Sequence, residues 1–173
     1  MAGWSPEIAN EFIRLAQAAG QSFTQMQLQK LVYIAHGWAL AITGAPLTVD
    51  APEAWEYGPV YRSLRSALRT YGASPITHEI TNSQYFPAAF TDAPGAPARA
   101  TLSGNERQII NRVFADYGRF HAFQLSALTH QPGTPWSDVY RNGLGKFEQI
   151  PNDLIRQHFV DLAIRRQPAA ANH

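Results

Sequence analysis

A chain of 173 residues in which 45% of side chains are apolar and 16% charged is long enough to bury one sizeable core and too apolar to be disordered. Its 14 Lys and Arg against 13 Asp and Glu leave a net charge of +1, so no global field draws it toward nucleic acid or an anionic membrane. With no cysteine, a disulfide scaffold and thiolate metal sites are excluded, and a reducing compartment such as the cytoplasm fits.

The first residues, MAGWSPEIAN, carry Glu7 and lack a basic stretch ahead of an apolar one, so they do not read as a secretion signal. Ser5-Pro6-Glu7 opens a first helix with a cap, a proline in the first turn and an acid at the positive end. Ile8, Phe12, Leu15, Ala16 and Ala19 share one face of it, and Gly20 closes it. Thr24 with Gln27 forms a capping box for a second helix. Leu28, Leu31, Val32, Ala35, Trp38, Ala39 and Ile42 make its stripe, with Tyr33 and Leu40 opposite. A helix apolar on both faces needs neighbours all round. Gly37 in its interior costs up to ~1 kcal/mol relative to Ala, which close approach by another helix would offset. The apolar run Leu31 to Ile42 is too short for a bilayer span of ~20 residues.

Residues 46–57 are proline-broken and predict a small hairpin or extended element around Trp55-Glu56-Tyr57, with Gly58-Pro59 as a turn. Pro59 then starts a helix that carries Val60, Leu64, Ala67, Leu68 and Tyr71 inward and stops at Gly72. Between 73 and 101, Pro75, Pro87, Pro94 and Pro97 describe an irregular, mobile insertion. Ser103 and Glu106 cap a helix with Ile109, Ile110, Val113, Phe114 and Tyr117 inward. A shorter helix runs from His121 to Thr129. HQPGTPW, ending at Trp136, is a turn. The last helix begins near Pro151-Asn152 and buries Leu154, Ile155, Phe159 and Leu162. The expected architecture is mainly α: a compact single-domain bundle over residues 1–165 around a central buried helix at about 25–43, with a flexible tail at 166–173.

Several residues invite a chemical reading. Trp55, Tyr57 and Pro59 form either an exposed aromatic anchor or a turn packed on the central helix. Arg62, Arg65 and Arg69 line the face opposite Leu64. They are either a solvated face or a grip on carboxylates, and near-neutral total charge favours an acidic protein over phosphates. Lys30, in a largely enclosed helix, calls for a carboxylate, with Glu53 or Glu56 nearest in sequence. His36, His78, His121, His130, His158 and His173 never fall into H-E-x-x-H spacing. A metal site from His121 and His130 would need carboxylates at matching geometry, and Ser126 near His130 is a thin basis for a hydrolase. His130 is expected to cap the carbonyls at its helix end.

Five ordered segments resemble the Panacea domain, the family of SocA-like antitoxins and phage-associated proteins. They are Leu28-Gln29-Lys30-Leu31-Val32-Tyr33-Ile34-Ala35-His36-Gly37-Trp38; Glu53-Ala54-Trp55-Glu56-Tyr57-Gly58-Pro59-Val60; Tyr71-Gly72; Leu125-Ser126-Ala127-Leu128-Thr129-His130; and Pro135-Trp136. The resemblance implies a non-enzymatic antitoxin that neutralises a cognate toxin by direct binding. In the SocA type it further implies an adaptor that delivers the toxin, a replication blocker acting at the DNA sliding clamp, to the ClpXP protease. It supplies no catalytic residue, cofactor or metal. The expected toxin-facing residues are Trp55, Tyr57, Tyr61, Arg62, Arg65 and Arg69, together with the 73–101 segment. Nucleic-acid regulation and His-dependent hydrolysis stand as the other readings.

Overall fold

The computed structural model describes residues 2–85, 93 and 95–166. In chain order the helices are α1 (Ser5–Ala18), α2 (Gln25–Thr43), α3 (Arg62–Leu68), α4 (Gly104–Tyr117), α5 (Ala122–Thr129), α6 (Pro135–Tyr140) and α7 (Asn152–Arg166). Strands β1 (Glu53–Trp55) and β2 (Gly58–Val60) lie between α2 and α3. The chain is mainly helical with one small antiparallel hairpin, as its patterning predicts.

Helix α2 is the axle, packed by α1, α3, α4, α5, α7 and β2. Its N-terminus is the expected capping box: Thr24 Oγ1 accepts from the Gln27 N–H, and Gln27 Oε1 accepts from the Thr24 N–H at 2.9 Å. Gly44, at φ +76°, ends it. Both faces are buried, Leu28, Leu31, Val32 and Ala35 on one and Tyr33 and Leu40 on the other. Ile42, expected on the buried stripe, is 64% exposed in the final turn, beyond its neighbours. At Gly37 a built Cβ would sit 2.1 Å from Cε2 of Phe159, so the missing side chain lets the ring of α7 lie against the α2 backbone. Trp38 meets the same ring edge-on at 5.2 Å. No helix among the described residues is long and apolar enough to cross a membrane.

Several boundaries and orientations differ from the sequence expectation. Ser5 does not cap α1; its N–H and hydroxyl donate to Asp50, at 2.7 and 2.5 Å, and the Glu7 carboxylate accepts the Trp4 N–H. The hairpin spans 53–60, with Glu56-Tyr57 as its turn and Pro59 inside β2 opposite Ala54. Proline's fixed φ fits a strand as well as a first helical turn, and here side chains from α2 hold it extended. Consequently α3 starts at Arg62, and Val60 and Tyr71 are half-buried while Leu64, Ala67 and Leu68 are buried. Thr134 and Pro135 start a helix inside what reads as a turn, with Thr134 Oγ1 accepting from the Ser137 N–H. Leu154 is exposed, whereas Ile155 and Phe159 are buried.

The described parts of 73–101 are anchored to the body. Buried Asn10 accepts from the Ile80 N–H at 2.8 Å and donates to the carbonyls of Ile80 and Ala98 at 2.8 and 2.9 Å. Ile76, Ile80 and Ala98 are buried beneath. One amide side chain thus bonds three main-chain groups of this irregular segment, whose Ile80 carbonyl also accepts the Ala98 N–H at 2.8 Å. Pro87 and Pro94, and the tail beyond Arg166, lie outside the described residues.

Candidate interaction site

Four side chains of the α2 segment and of 125–136, Gln29, Lys30, Ser126 and Trp136, reach the backbone of the β1–β2 hairpin and of Tyr61 just after it. Lys30 Nζ donates to the Pro59 carbonyl at 2.8 Å. Gln29 donates to the Tyr61 carbonyl at 3.0 Å and accepts from the Tyr61 N–H at 2.8 Å. Ser126 Oγ donates to the Tyr57 carbonyl at 2.7 Å, and Trp136 Nε1 to the Trp55 carbonyl at 2.6 Å. On the outer side, the Ala54 N–H donates to the Glu148 carbonyl and the Phe147 N–H to the Ala54 carbonyl. Two isolated strands are marginal in water, so these anchors fix the hairpin's position. Gly58 is required by both conformation and space: its φ is +110°, and a Cβ would lie 3.1 Å from Lys30 Nζ and 3.2 Å from Thr129 Oγ1.

Lys30 is 2% exposed and bonds a carbonyl; neither Glu53 nor Glu56 reaches it. Glu53 instead accepts from Arg62 at 2.9 Å and from Trp55 Nε1 at 2.9 Å. With no carboxylate to hold its charge, burial pushes the Lys30 ammonium down to about 7.

Beside the hairpin lies a groove of about 600 Å³, walled by Trp55, Tyr57, Phe123 and Phe147 with Arg65 and Lys146 among its lining residues. Tyr57 is 62% and Phe123 81% exposed, and Phe147 is about half exposed. Together these rings form an exposed aromatic patch. The Trp55 ring is fixed from both sides, by Phe147 edge-on at 4.9 Å and by the Arg65 guanidinium 4.9 Å from its centroid. Phe147 sits at φ +71°, a region rare for a bulky residue, which turns its N–H to Ala54 and its ring to the groove.

The structure therefore brings Trp55, Tyr57 and Arg65 together, with Arg62 at the edge through Glu53. Arg69 is exposed but outside the groove lining, in the turn Arg69–Tyr71 that precedes Gly72, whose φ is +56°. Tyr61 is 0% exposed, so its side chain belongs to the core and leaves the surface set. The spacing 61, 64, 68 places it on the buried stripe of α3. Phe123 and Phe147 are wall residues that the sequence reading missed. His130 caps α5 as expected, its Nδ1 bonded to the Ser126 carbonyl, while the Ser126 hydroxyl donates to the Tyr57 carbonyl and lies 3.3 Å from His130 Nδ1. Among the described residues, no three of His, Cys, Asp and Glu cluster to hold a metal.

His36 secures the segment that leads into the hairpin. Its Nδ1 accepts the N–H groups of Leu47 and Thr48 at 3.2 and 3.3 Å, which leaves the proton on Nε2 to donate to Asn152 at 2.9 Å. That arrangement needs the neutral ring, and burial pushes its pKa down to about 4. The folded value lies below the unfolded one of about 6.5, so stability present above that value is lost as pH falls toward 4. The shift is equivalent to roughly 3 kcal/mol. Asp50 and Glu7, raised by burial, act in the opposite sense at the acid end. Urea titrations between pH 6.5 and 5 should show that decline; a flat profile there would contradict a buried neutral His36.

These features define a class: a helical scaffold whose internal polar residues position a hairpin and an aromatic groove. Residues 28–137 match the family model described as "Antitoxin SocA-like, Panacea domain", and the chain belongs to that family. Antitoxin SocA of Caulobacter vibrioides (strain NA1000 / CB15N) is 32% identical over 156 residues, covering 88% of this chain and 80% of that protein. No solved structure matches.

Proposed function

We propose that this protein is a non-enzymatic antitoxin that neutralises a cognate toxin by direct binding in the cytoplasm. The observation that carries this reading is the groove beside the hairpin. Lys30, Ser126 and Trp136, within the stretch that matches the family model, hold the backbone in place from within, and aromatic rings remain exposed above it. Similarity to Antitoxin SocA supports a toxin partner in general. Neutralisation is steric: Trp55, Tyr57, Phe123 and Phe147 bury a surface the toxin needs, over an interface of ordinary size, ~800 Å² per partner. Delivery of the bound toxin to ClpXP is the proposed second step, carried by the family resemblance alone. A nucleic-acid regulator is disfavoured by the net charge of +1.

The test uses the product of the adjacent gene, expressed alone and with this protein. Growth arrest relieved by the wild type should return with Tyr57→Ala plus Phe123→Ala, both exposed and outside the core. Each truncation should weaken binding by about 2 kcal/mol if these rings are hot spots. Full rescue by the double variant would remove the groove from the proposal. A toxin half-life that shortens with this protein only when ClpX is present would support the adaptor step; an unchanged half-life would limit the mechanism to occlusion.

A further inference from the structure

The groove carries an imbalance of charge that the chain as a whole does not. Its lining holds two exposed basic side chains, Arg65 and Lys146, with Lys30 buried beneath them, against one carboxylate, Glu56. Neither Arg65 nor Lys146 forms an ion pair among the described residues; each lies against a ring, Arg65 at 4.9 Å from Trp55 and Lys146 at 5.2 Å from Phe147. Neighbouring Arg62, by contrast, is neutralised by Glu53. The groove of about 450 Å³ between α2, α4 and α7 is less one-sided, with Arg112 paired to Asp116 at 2.9 Å and Arg166 against Trp38 and bonded to the Tyr117 hydroxyl at 2.8 Å. Cations left unpaired beside bare aromatics leave the groove short of both apolar cover and negative charge.

We propose that the groove receives an acidic amphipathic segment of the partner protein, with apolar side chains against Tyr57, Phe123 and Phe147 and carboxylates between Arg65 and Lys146. This rests on the reading of the groove as the toxin-docking surface and adds the chemistry of what docks. A guanidinium already immobilised on an indole loses little freedom on meeting a carboxylate, which favours Arg65 as the anchoring donor. Nucleic acid also combines negative charge with stacking surfaces, but protein is favoured because the cations are few and the chain is near neutral.

The experiment measures fluorescence anisotropy with three labelled helical peptides that share the same Leu and Phe positions and carry Glu, Gln or Lys elsewhere, together with a labelled oligothymidine. The Glu peptide should bind roughly tenfold tighter than the Gln peptide at low salt, the gap narrowing at high salt, and the Lys peptide should bind weakest. Arg65→Gln with Lys146→Gln should erase the preference, and Arg65→Lys with Lys146→Arg should keep it. Equal binding of the Glu and Gln peptides, both lost with Tyr57→Ala plus Phe123→Ala, would overturn the acidic inference and leave the docking surface standing. Binding of no peptide, or binding indifferent to Tyr57→Ala plus Phe123→Ala, would overturn both. Oligothymidine bound more tightly than any peptide would replace the protein partner with nucleic acid. Matching circular dichroism of every variant confirms the fold.

Discussion

Gly37→Ala should destabilise the protein by about 2–4 kcal/mol, the reverse of what the same change does in an ordinary helix interior. Ala is preferred to Gly there by up to ~1 kcal/mol. Here the added methyl would fall 2.1, 2.3 and 2.5 Å from three atoms of the Phe159 ring, which also meets Tyr33 and Trp38 edge-on. Overpacking of this kind forces a helix shift or an off-rotamer ring. The effect should be specific to the pair. In a Phe159→Leu background the same substitution should cost far less, with a coupling of about 1–3 kcal/mol in urea denaturation. Additive effects would mean that Phe159 does not set the spacing of α2 and α7.

Lys30→Met should raise stability near pH 7 by about 2–4 kcal/mol, although it deletes a hydrogen bond. Burial lowers the Lys30 ammonium from 10.5 to about 7, a shift equivalent to roughly 5 kcal/mol. The Pro59 carbonyl, left without its donor, costs ~1–3 kcal/mol in return. Because the folded pKa lies below the unfolded one, the wild type is most stable above the unfolded value and loses stability as pH falls toward 7. Below that both states hold the proton and the penalty is constant. Tyr33 and Tyr61, raised by burial, oppose this trend in the alkaline range near 10, so the clean window is pH 7 to 9. In that window the wild type should gain stability with pH while Lys30→Met stays flat. A variant that is less stable at pH 7 would show that Lys30 is a net structural asset. A variant more stable yet poorer at toxin neutralisation would separate the two roles of this residue.

The core was more legible than the surface, for reasons visible in particular residues. Apolar side chains on both faces of α2 announce enclosure, and a glycine amid them announces a close neighbour; both hold, with Phe159 as that neighbour. Lys30 was readable as buried but not as bonded to Pro59, because main-chain acceptors carry no signature in residue type. The same holds for Gln29, Ser126 and Trp136, whose partners are main-chain groups of the hairpin and of Tyr61 just after it. Phe123 offered a faint signal, since it lies roughly opposite Leu125 on a helix apolar all round. Phe147 offered none, because its place in the groove depends on a positive φ in an irregular loop. The start of α6 was present in Thr134-Pro135 and hidden by the Pro–Gly turn before it.

Amide hydrogen exchange on the protein alone and in the presence of the proposed toxin partner tests the central claim most directly. Protection on binding should concentrate at 53–60, at 122–129 and around Phe147, with α7 beyond Ile155 unchanged. Neutralisation accompanied by unaltered exchange in the hairpin and α5, or by protection confined to the face formed by α4 and α7, would contradict it.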